Sequence, residues 1–320
     1  MGGTLKSPLH RLLIACLLGL LAGPAGLLAD GNYGSAATSG TSFKLGLGAR
    51  PAAMGGAYLA LAKGADSLYW NPAGLTQLRD IQASFDHLSW FQGVNDEAVQ
   101  YGQPLYNLNS AFGLGLSYLY ATDISRDNWG NPGPSFTDFD FSAQAAYAMS
   151  VTDDLSLGMT YKIIRQGYAS AFSMGSGFDF GMQYLHFLNQ PLRLGLGMFN
   201  VGTPLSLGSS LALLPWTLKG GLAWTPAPRL NLEADYSYQP LDYFSEVSVG
   251  GEYTWRADPF LATLRAGYLI GPQNALGLLA GASVGLGLGW HSYQLDYALV
   301  PYGDLGLTHR ITLTYTFGSD

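Results

Sequence analysis

The chain has 320 residues, of which 12% are charged, 13% are aromatic and 43 are glycine. The charged share is about half of the roughly 25% that is usual in soluble globular domains. The formal net charge of −7 gives no basic surface for a nucleic-acid partner. After the N-terminal region, no run reaches the ~18 consecutive apolar residues that a membrane-spanning helix needs. Such a composition is typical of a β-rich chain that faces lipid.

Residues 1–29 have the features of an export signal. Basic residues precede the apolar run 12–21, and the small residues of AGPAGLLAD follow it. Cleavage is expected after Ala25 or Ala29, although neither site is a regular A-x-A. The alternative is acylation of Cys16, but the apolar stretch before it is too short for that motif. Cys16 is the only cysteine, so the exported chain is expected to form no disulfide and no thiolate metal site.

The dominant period of hydrophobicity after residue 80 is two, which is the period of a β-strand. In the last segment Ile311, Leu313, Tyr315 and Phe317 alternate with arginine and threonine. Apolar side chains on one face and small or polar side chains on the other are typical of a lipid-facing barrel wall. The sequence therefore predicts an all-β protein, a transmembrane antiparallel up-and-down β-barrel.

Fourteen segments of this kind are predicted, and their connections are alternately short and long. The segments lie near residues 80–90, 95–103, 109–121, 138–151, 155–167, 176–188, 192–201, 215–225, 229–239, 245–256, 260–270, 276–290, 292–300 and 308–317. Short turns fall at 152–154, 189–191 and 225–229, and longer loops at 122–137, 202–214 and 301–307. This alternation is typical of a barrel with tight periplasmic turns and longer external loops.

The barrel must close, because an unpaired backbone group in hydrocarbon costs several kcal/mol. Fourteen strands enclose a lumen too wide to be filled by wall side chains alone. Residues 30–79 are rich in Gly and Ala and too short for a separate domain, so we predict that they plug the lumen from the periplasmic side. The expected organisation is a signal peptide at 1–29, the plug at 30–79, the barrel at 80–317 and a short tail at 318–320.

One motif points to catalysis, but its context does not support that function. Residues 281–285, GASVG, fit the G-x-S-x-G pattern, and Asp296 and His309 follow in the order of a hydrolase triad. The motif needs a strand–turn–helix context, whereas this stretch continues one alternating strand, so Ser283 is expected to face the lumen. The histidines are scattered, and the paired glycines lack a phosphate-binding pattern. We predict no enzyme, no metal and no cofactor.

Charged residues within the predicted strands are expected to face the lumen. Lipid exposure of a basic side chain at the bilayer midplane costs about 2–4 kcal/mol. Alternation places Arg265, Asp296 and Arg310 opposite their apolar neighbours, and Asp235 and Glu252 also lie within strands. Such lumen charges either line a permeation path or anchor the plug.

Aromatic side chains near strand ends are expected to form girdles at the membrane interfaces. The tryptophans concerned are Trp90, Trp216, Trp224, Trp255 and Trp290. Stacking on an aromatic ligand is the alternative. The charges within and beside residues 122–137 are expected to belong to a solvated external loop.

Two segments carry a resemblance to a known family. Residues 46–75 read GLGARPAAMGGAYLALAKGADSLYWNPAGL, and residues 295–317 read LDYALVPYGDLGLTHRITLTYTF. They resemble the N-terminal signature and the last two strands of the PorV/PorQ proteins, a branch of the FadL-like outer-membrane barrels. The resemblance runs from about Gly40 to the C-terminus. It implies a fourteen-stranded barrel with an N-terminal hatch.

The resemblance also implies which residues belong to the hatch and which to the insertion signal. The hatch residues are Gly55, Gly56, Trp70, Asn71, Pro72, Ala73 and Gly74. The C-terminal insertion signal comprises Ile311, Leu313, Tyr315 and Phe317. The chain departs from the family at residues 63–66, KGAD, where relatives usually have two adjacent acids. It also continues for three residues beyond the final aromatic residue.

The family implies a location in the cell outer membrane, with membrane lipid and the barrel-assembly machinery as partners. FadL-like members pass hydrophobic or amphipathic small molecules through a lumen gated by the hatch. PorV-like members belong to the type IX secretion system and bind protein cargo at the cell surface. The shared motifs do not distinguish the two functions. Transport of a hydrophobic small-molecule ligand is the leading expectation, and interaction with secretion-system proteins is the alternative.

Overall fold

The computed structural model describes residues 38–40, 42–168, 171–207 and 210–318. The predicted signal peptide, residues 30–37 of the predicted plug and residues 319–320 of the predicted tail lie outside the described residues. Among the described residues, no helix is both long enough and apolar enough to cross a bilayer.

Strands make up most of the described chain. They are β1 (Gln82–Ser89), β2 (Asn95–Leu105), β3 (Ser110–Arg126), β4 (Pro132–Ser150), β5 (Leu155–Tyr168), β6 (Ala171–Tyr184), β7 (Leu192–Gly202), β8 (Leu205–Leu207), β9 (Ser210–Ala212), β10 (Thr217–Ala227), β11 (Leu230–Gln239), β12 (Phe244–Ala257), β13 (Phe260–Ile270), β14 (Ala282–Trp290), β15 (Tyr293–Pro301) and β16 (Leu307–Thr316). In the described residues, β8 and β9 form a separate hairpin and the other fourteen strands form one closed antiparallel barrel.

Closure is made by the first and last strands. β1 pairs with β16 over eight residue pairs, from Gln82 opposite Thr316 to Ser89 opposite His309. Because the ladder closes on itself, the barrel presents no strand edge to hydrocarbon, where an unpaired backbone group is costly. The predicted fourteen-stranded transmembrane barrel is confirmed.

The two faces of the wall differ as the sequence period predicts. In β14 the buried positions Ser283, Gly285, Gly287 and Gly289 alternate with exposed Val, Leu and Trp side chains. In β16, Ile311 and Leu313 face outward, and Tyr315 shares their face of the strand. The outward face is therefore apolar and lies against lipid, while the inward face is small or polar.

The structure differs from the predicted boundaries in the longer connections. The loop expected at 122–137 is mostly strand, because β3 continues to Arg126 and β4 begins at Pro132. The segment expected to start at 276 becomes strand only at Ala282, since the residues before it form two short 3-10 helices. The loop expected at 202–214 contains the hairpin of β8 and β9. Polar composition alone did not reveal these elements.

The helices are short. The α-helices are α1 (Ser42–Leu45), α2 (Ala49–Ala53) and α3 (Ser67–Trp70). The 3-10 helices span Pro72–Gln77, Phe91–Gly93, Tyr106–Leu108, Phe187–Asn189, Pro272–Leu276, Leu278–Gly281 and Gly303–Leu305.

Residues 38–40 and 42–81, here called the plug, lie inside the barrel. The plug joins β1 at the end of the barrel that carries the short turns, as the predicted periplasmic entry requires. Its first described residue, however, lies at the opposite rim: Thr38 Oγ1 donates to Asp242 Oδ2 at 2.8 Å, in the β11–β12 connection. The plug therefore spans the lumen from the end with the longer connections to the end with the short turns.

Candidate functional site

Two carboxylates of β11 hold an extended part of the plug. Asp235 accepts the backbone N–H groups of residues 58 and 59 at 2.9 and 3.0 Å. Glu233 accepts those of residues 60 and 61 at 2.5 and 3.1 Å. Both carboxylates are buried. These four contacts fix the middle of the plug against the wall. The sequence analysis did not identify Glu233.

A buried chain of ion pairs joins the plug to three strands. Arg50 of α2 donates to Glu252 of β12 through Nη2 at 2.6 Å and Nε at 3.0 Å. Arg265 of β13 donates to Glu252 at 3.1 Å and to Asp296 of β15 at 2.6 Å. The predicted lumen residues Arg265 and Asp296 therefore contact one another, and Arg50 connects them to the plug. The sequence analysis missed Arg50, the one charged residue between Leu45 and Lys63.

The other two predicted lumen residues bind the plug backbone. Arg310 donates to the carbonyl oxygens of Gly46 at 2.6 Å and Leu45 at 2.9 Å. Ser283 donates to the carbonyl oxygen of Ala53 at 3.0 Å. In the described residues, these charges and hydroxyls are engaged with the plug, which favours the anchoring role over the permeation lining that the sequence left open.

The Asn-Pro-Ala element ends one helix and begins the next. Asn71 is fully buried; its Nδ2 donates to the carbonyl oxygens of Leu59 at 2.9 Å and Met182 at 3.0 Å. Its Oδ1 accepts the N–H of Ala73 at 3.3 Å, which caps the 3-10 helix that Pro72 begins. Asn71 therefore links two parts of the plug to β6.

The glycines of the predicted hatch allow close approach of backbone to backbone. Gly55 and Gly56 have φ of +67° and +85°, in the left-handed region that glycine tolerates best. A Cβ on Gly55 would lie 2.6 Å from the backbone nitrogen of Tyr268. A Cβ on Gly74 would lie 2.3 Å from the carbonyl oxygen of Ala62. Larger residues at these positions would force the plug away from the wall or from itself.

A cavity of about 250 Å³, here called the outer cavity, lies on the side of the plug toward the longer connections. Its aromatic lining consists of Phe43, Tyr69, Trp70, Trp90 and Tyr302. Small residues of α2 and of the Gly55–Gly56 bend also line it. The cavity therefore combines aromatic, small and charged side chains, and plug residues form part of its wall.

The aromatic lining of the outer cavity is held in place by specific contacts. Trp70 Nε1 donates to the carbonyl oxygen of Leu47 at 2.8 Å. The Trp90 ring packs against Phe91 at 4.6 Å and against Tyr302 at 5.9 Å between centroids. These contacts position aromatic faces toward a ligand-sized space.

Lys219 of β10 is a cation of the outer cavity that has no carboxylate partner among the described residues. Its Nζ lies 5.0 Å from the ring centroid of Trp70 and 5.7 Å from that of Phe199. Within the part of the chain that the structure describes, Lys219 makes no ion pair or side-chain hydrogen bond. An ammonium held over aromatic faces gains cation–π attraction and keeps its donors free. Sequence reasoning missed this residue, because only closure of the barrel brings it to the plug.

The girdle prediction fits some tryptophans and not others. Trp224, Trp255 and Trp290 are exposed near the short turns, as interface residues would be. Trp90 is half-buried and lines the outer cavity, so the girdle expectation is wrong for it. Trp216 is also half-buried. Both lie where the longer connections fold over the barrel mouth, which a strand-end position in the sequence does not show.

A second cavity of about 400 Å³, here called the inner cavity, lies at the end with the short turns. Its lining is polar and includes Arg50, Lys63, Asp66 and Arg193. Burial raises the pKa of Asp66 to about 6. The neighbouring Arg50 guanidinium, together with burial, lowers the pKa of Lys63 to about 8. Because α2 contributes Ala52 to the outer cavity and Arg50 to the inner one, this helix and its ion pairs partition the lumen.

The residues of the G-x-S-x-G motif do not form a catalytic triad. Ser283 faces the plug, Asp296 is paired with Arg265, and His309 lies on the outward face beside Tyr297 at 2.7 Å. Within the described residues, no group of three or more His, Cys, Asp or Glu side chains is placed to hold a metal ion.

Comparison with known proteins gives matches only among solved structures. No family model matches the chain, and no curated protein matches it. The toluene transporter TodX of Pseudomonas putida has a TM-score of 0.55 at 14% identity, covering 88% of this chain and 96% of TodX. The monoaromatic hydrocarbon channel CymD has a TM-score of 0.56 at 12% identity, with 85% and 98% covered.

A TodX deltaS2S3 mutant, also described as a monoaromatic hydrocarbon channel, has a TM-score of 0.57 at 13% identity, with 85% and 99% covered. At these identities the likeness shows the fold alone. The chain is a transmembrane β-barrel with the fold of these channels, which confirms the FadL-type fold that the sequence predicts. The narrower resemblance to PorV/PorQ proteins stays a prediction.

Proposed function

We propose that this protein is an outer-membrane, FadL-like channel that passes hydrophobic or amphipathic small molecules. The observation that carries the proposal is the outer cavity inside a transmembrane barrel, where five aromatic side chains lie beside the Lys219 ammonium. Its volume lies just below the ~300–1,000 Å³ of pockets that hold drug-sized ligands. The expected ligand is therefore small, with an aromatic or aliphatic body. The fold shared with TodX and CymD supports this proposal.

Passage through the lumen requires movement of part of the plug. The helix α2 contributes Ala52 to the outer cavity and Arg50 to the inner cavity, so a route across α2 would join the two cavities. The β11 carboxylates hold residues 58–61 through four buried hydrogen bonds, which makes that part the fixed side. We propose that α2 and the Gly55–Gly56 bend move while residues 58–61 stay attached to β11.

Binding of paired probes tests the proposed role of the outer cavity. We expect the folded protein in detergent to bind toluene and 4-methylbenzoate, with quenching of tryptophan fluorescence as the signal. Lys219→Met should weaken 4-methylbenzoate binding about tenfold, equivalent to ~1.4 kcal/mol, because the ammonium has no carboxylate partner among the described residues. Arg310 also lines the cavity, but it donates to the plug carbonyl oxygens of Gly46 and Leu45. Toluene binding should change less than twofold.

Arg229→Met is the control, since it removes an exposed base in the β10–β11 turn, outside both cavities. The transport proposal is contradicted if neither probe binds to the wild-type protein. If Lys219→Met weakens the binding of toluene and of 4-methylbenzoate equally, the ammonium maintains the shape of the cavity and does not recognise a head group.

A second candidate function, a component of type IX secretion or surface attachment, is favoured by one observation. In the described chain, residues 121–126 of β3 and 132–137 of β4 pair only with each other, so they form a ribbon beyond the barrel wall. Asp127 holds the tip by accepting the N–H groups of Trp129 at 2.9 Å and Asn131 at 2.8 Å. Trp129 is 85% exposed. A rigid tip with an exposed indole is suited to contact with another protein.

Separate assays of surface display and uptake discriminate the two functions. If the secretion function is correct, Trp129→Ala should reduce the amount of cargo that copurifies with the protein several-fold and leave small-molecule uptake unchanged. Tyr243→Ala, at another exposed aromatic residue of the same rim, is the control. Deletion of the protein that abolishes surface display but leaves hydrophobic uptake intact would contradict the transport proposal.

A further inference from the structure

The inner cavity collects basic side chains that lack carboxylate partners. Lys63, Arg79 and Arg193 line it, and in the described part of the chain no carboxylate lies within ion-pair distance of any of them. Arg50 also lines the cavity but is neutralised by Glu252 at 2.6 Å. The three remaining bases come from separate elements: the loop before α3, the segment before β1, and β7.

Arg193 is the best-placed donor of the three. It is half-buried on β7, and its one hydrogen bond from the side chain in the described residues goes to Gln77 Oε1 at the long distance of 3.4 Å. A guanidinium carries five N–H donors in a planar fork that matches the oxygens of a carboxylate or phosphate. Most of this fork is therefore open to the inner cavity.

The acidic residues of the inner cavity leave the bases unneutralised. Asp296 is paired with Arg265 at 2.6 Å, and Asp66 accepts the Tyr58 hydroxyl at 3.1 Å. Asp80 is the remaining acid in the lining. Three unpaired bases therefore face at most two acids that are not in ion pairs, and the lining has an excess of positive charge.

Lys63 shows that the bases repel one another. The groups that face it are Arg50 of α2, Glu252 of β12, Arg193 of β7 and Asp66 before α3. The effect of Arg50, with burial, lowers the pKa of Lys63 to about 8, and Arg193 acts in the same direction. A bound anion would offset this repulsion and raise the Lys63 pKa.

We propose that the inner cavity is a binding site for a small oxyanion, a carboxylate or a phosphate, held by Lys63 and the Arg193 fork. The site lies on the far side of the plug from the outer cavity, at the end with the short turns. Its occupant is either a free anion or the acidic head group of an amphipathic molecule. The proposal does not depend on the transport function, because it concerns equilibrium binding to the folded protein.

Calorimetry of the full folded chain in detergent at low salt tests this site, with inorganic phosphate and hexanoate as separate probes. We expect at least one probe to bind, and Arg193→Gln and Lys63→Met each to weaken that binding about tenfold. Binding of phosphate identifies a free anion, whereas binding of hexanoate alone identifies an amphipathic carboxylate. Arg229→Gln, in the β10–β11 turn and outside both cavities, should leave the binding unchanged.

Proton uptake provides a second measurement that a merely structural role would not affect. Near pH 8 the anion should draw a proton onto Lys63, so the apparent binding enthalpy should depend on the ionisation enthalpy of the buffer. This dependence should vanish in Lys63→Met. Variants are compared only when they keep the heat-dependent gel mobility shift of a folded barrel, and Arg193→Lys should retain part of the affinity. Absence of binding by either probe, or equal affinity in wild type and both variants, would overturn the proposal.

Discussion

Replacing Arg50 by methionine is expected to open a leak through the barrel. The variant removes the ion pair between α2 and Glu252. Among the described residues, α2 then keeps neutral hydrogen bonds to the wall, from the Ala49 N–H to Thr312 and from Ser283 to the Ala53 carbonyl oxygen. Breaking a buried ion pair by removing one partner costs about 3–5 kcal/mol. Because Glu252 keeps Arg265 as a partner, we expect a cost at the lower end of this range, about 3 kcal/mol. A change of about 3 kcal/mol raises the displaced fraction of α2 roughly a hundredfold.

Liposome swelling in an isotonic sugar measures this leak, because sugar enters only through an opened lumen. The barrel itself should still fold, since its closed ladder of strands does not involve Arg50. Glu252→Gln should also raise the swelling rate, because it breaks the pair with Arg50 and the pair with Arg265. The double variant should add little to Glu252→Gln alone, since Arg50 has then already lost its partner. Arg229→Met, at a residue in the β10–β11 turn, is the control. A swelling rate of Arg50→Met equal to that of wild type would refute the assignment of α2 as the partition.

The second large effect is expected for Asn71→Ala, which should alter permeability far more than barrel stability. The change removes both donors to Leu59 and Met182 and the acceptor for Ala73. A buried polar group left without a partner costs about 1–3 kcal/mol. The Ala73 N–H loses its side-chain acceptor, whereas the Leu59 carbonyl oxygen keeps Gln183 Nε2 as a donor at 3.2 Å. The 3-10 helix after Asn71 loses its cap, so the plug loosens while the wall keeps its ladder.

Two measurements on the same preparation separate these effects. The uptake rate of a small aromatic probe into proteoliposomes should rise at least tenfold, and the urea midpoint for loss of the barrel should shift only slightly. Asn128→Ala is the matched control, because Asn128 is exposed at the tip of the β3–β4 ribbon. Equal uptake by wild type and Asn71→Ala would show that the Asn-Pro-Ala element has no role in the barrier.

The strands of the barrel wall follow from local sequence patterns and can therefore be predicted from the sequence. An alternation of period two assigns each side chain to the lipid or to the lumen. A one-residue shift of a strand would turn all of its apolar side chains toward the lumen. For this reason the fourteen strands, and the inward direction of Ser283, Arg265, Asp296 and Arg310, were predictable from sequence. The ribbon at 121–137 was not, because outside hydrocarbon the same polar residues are compatible with loop or strand.

What the lumen side chains contact was decided only by the tertiary structure. Arg50 and Glu252 are 202 residues apart, and residue 58 and Asp235 are 177 apart. The number of strands, their register and the closure of the barrel decide which positions meet across the lumen. A local sequence pattern does not show which residues so far apart in the chain will meet. The same closure places Lys219 beside Trp70 and Arg193 beside Gln77, so both cavities and their free cations exist only in the folded barrel. The sequence alone determined the direction of each wall side chain, and the closed barrel determined its partner.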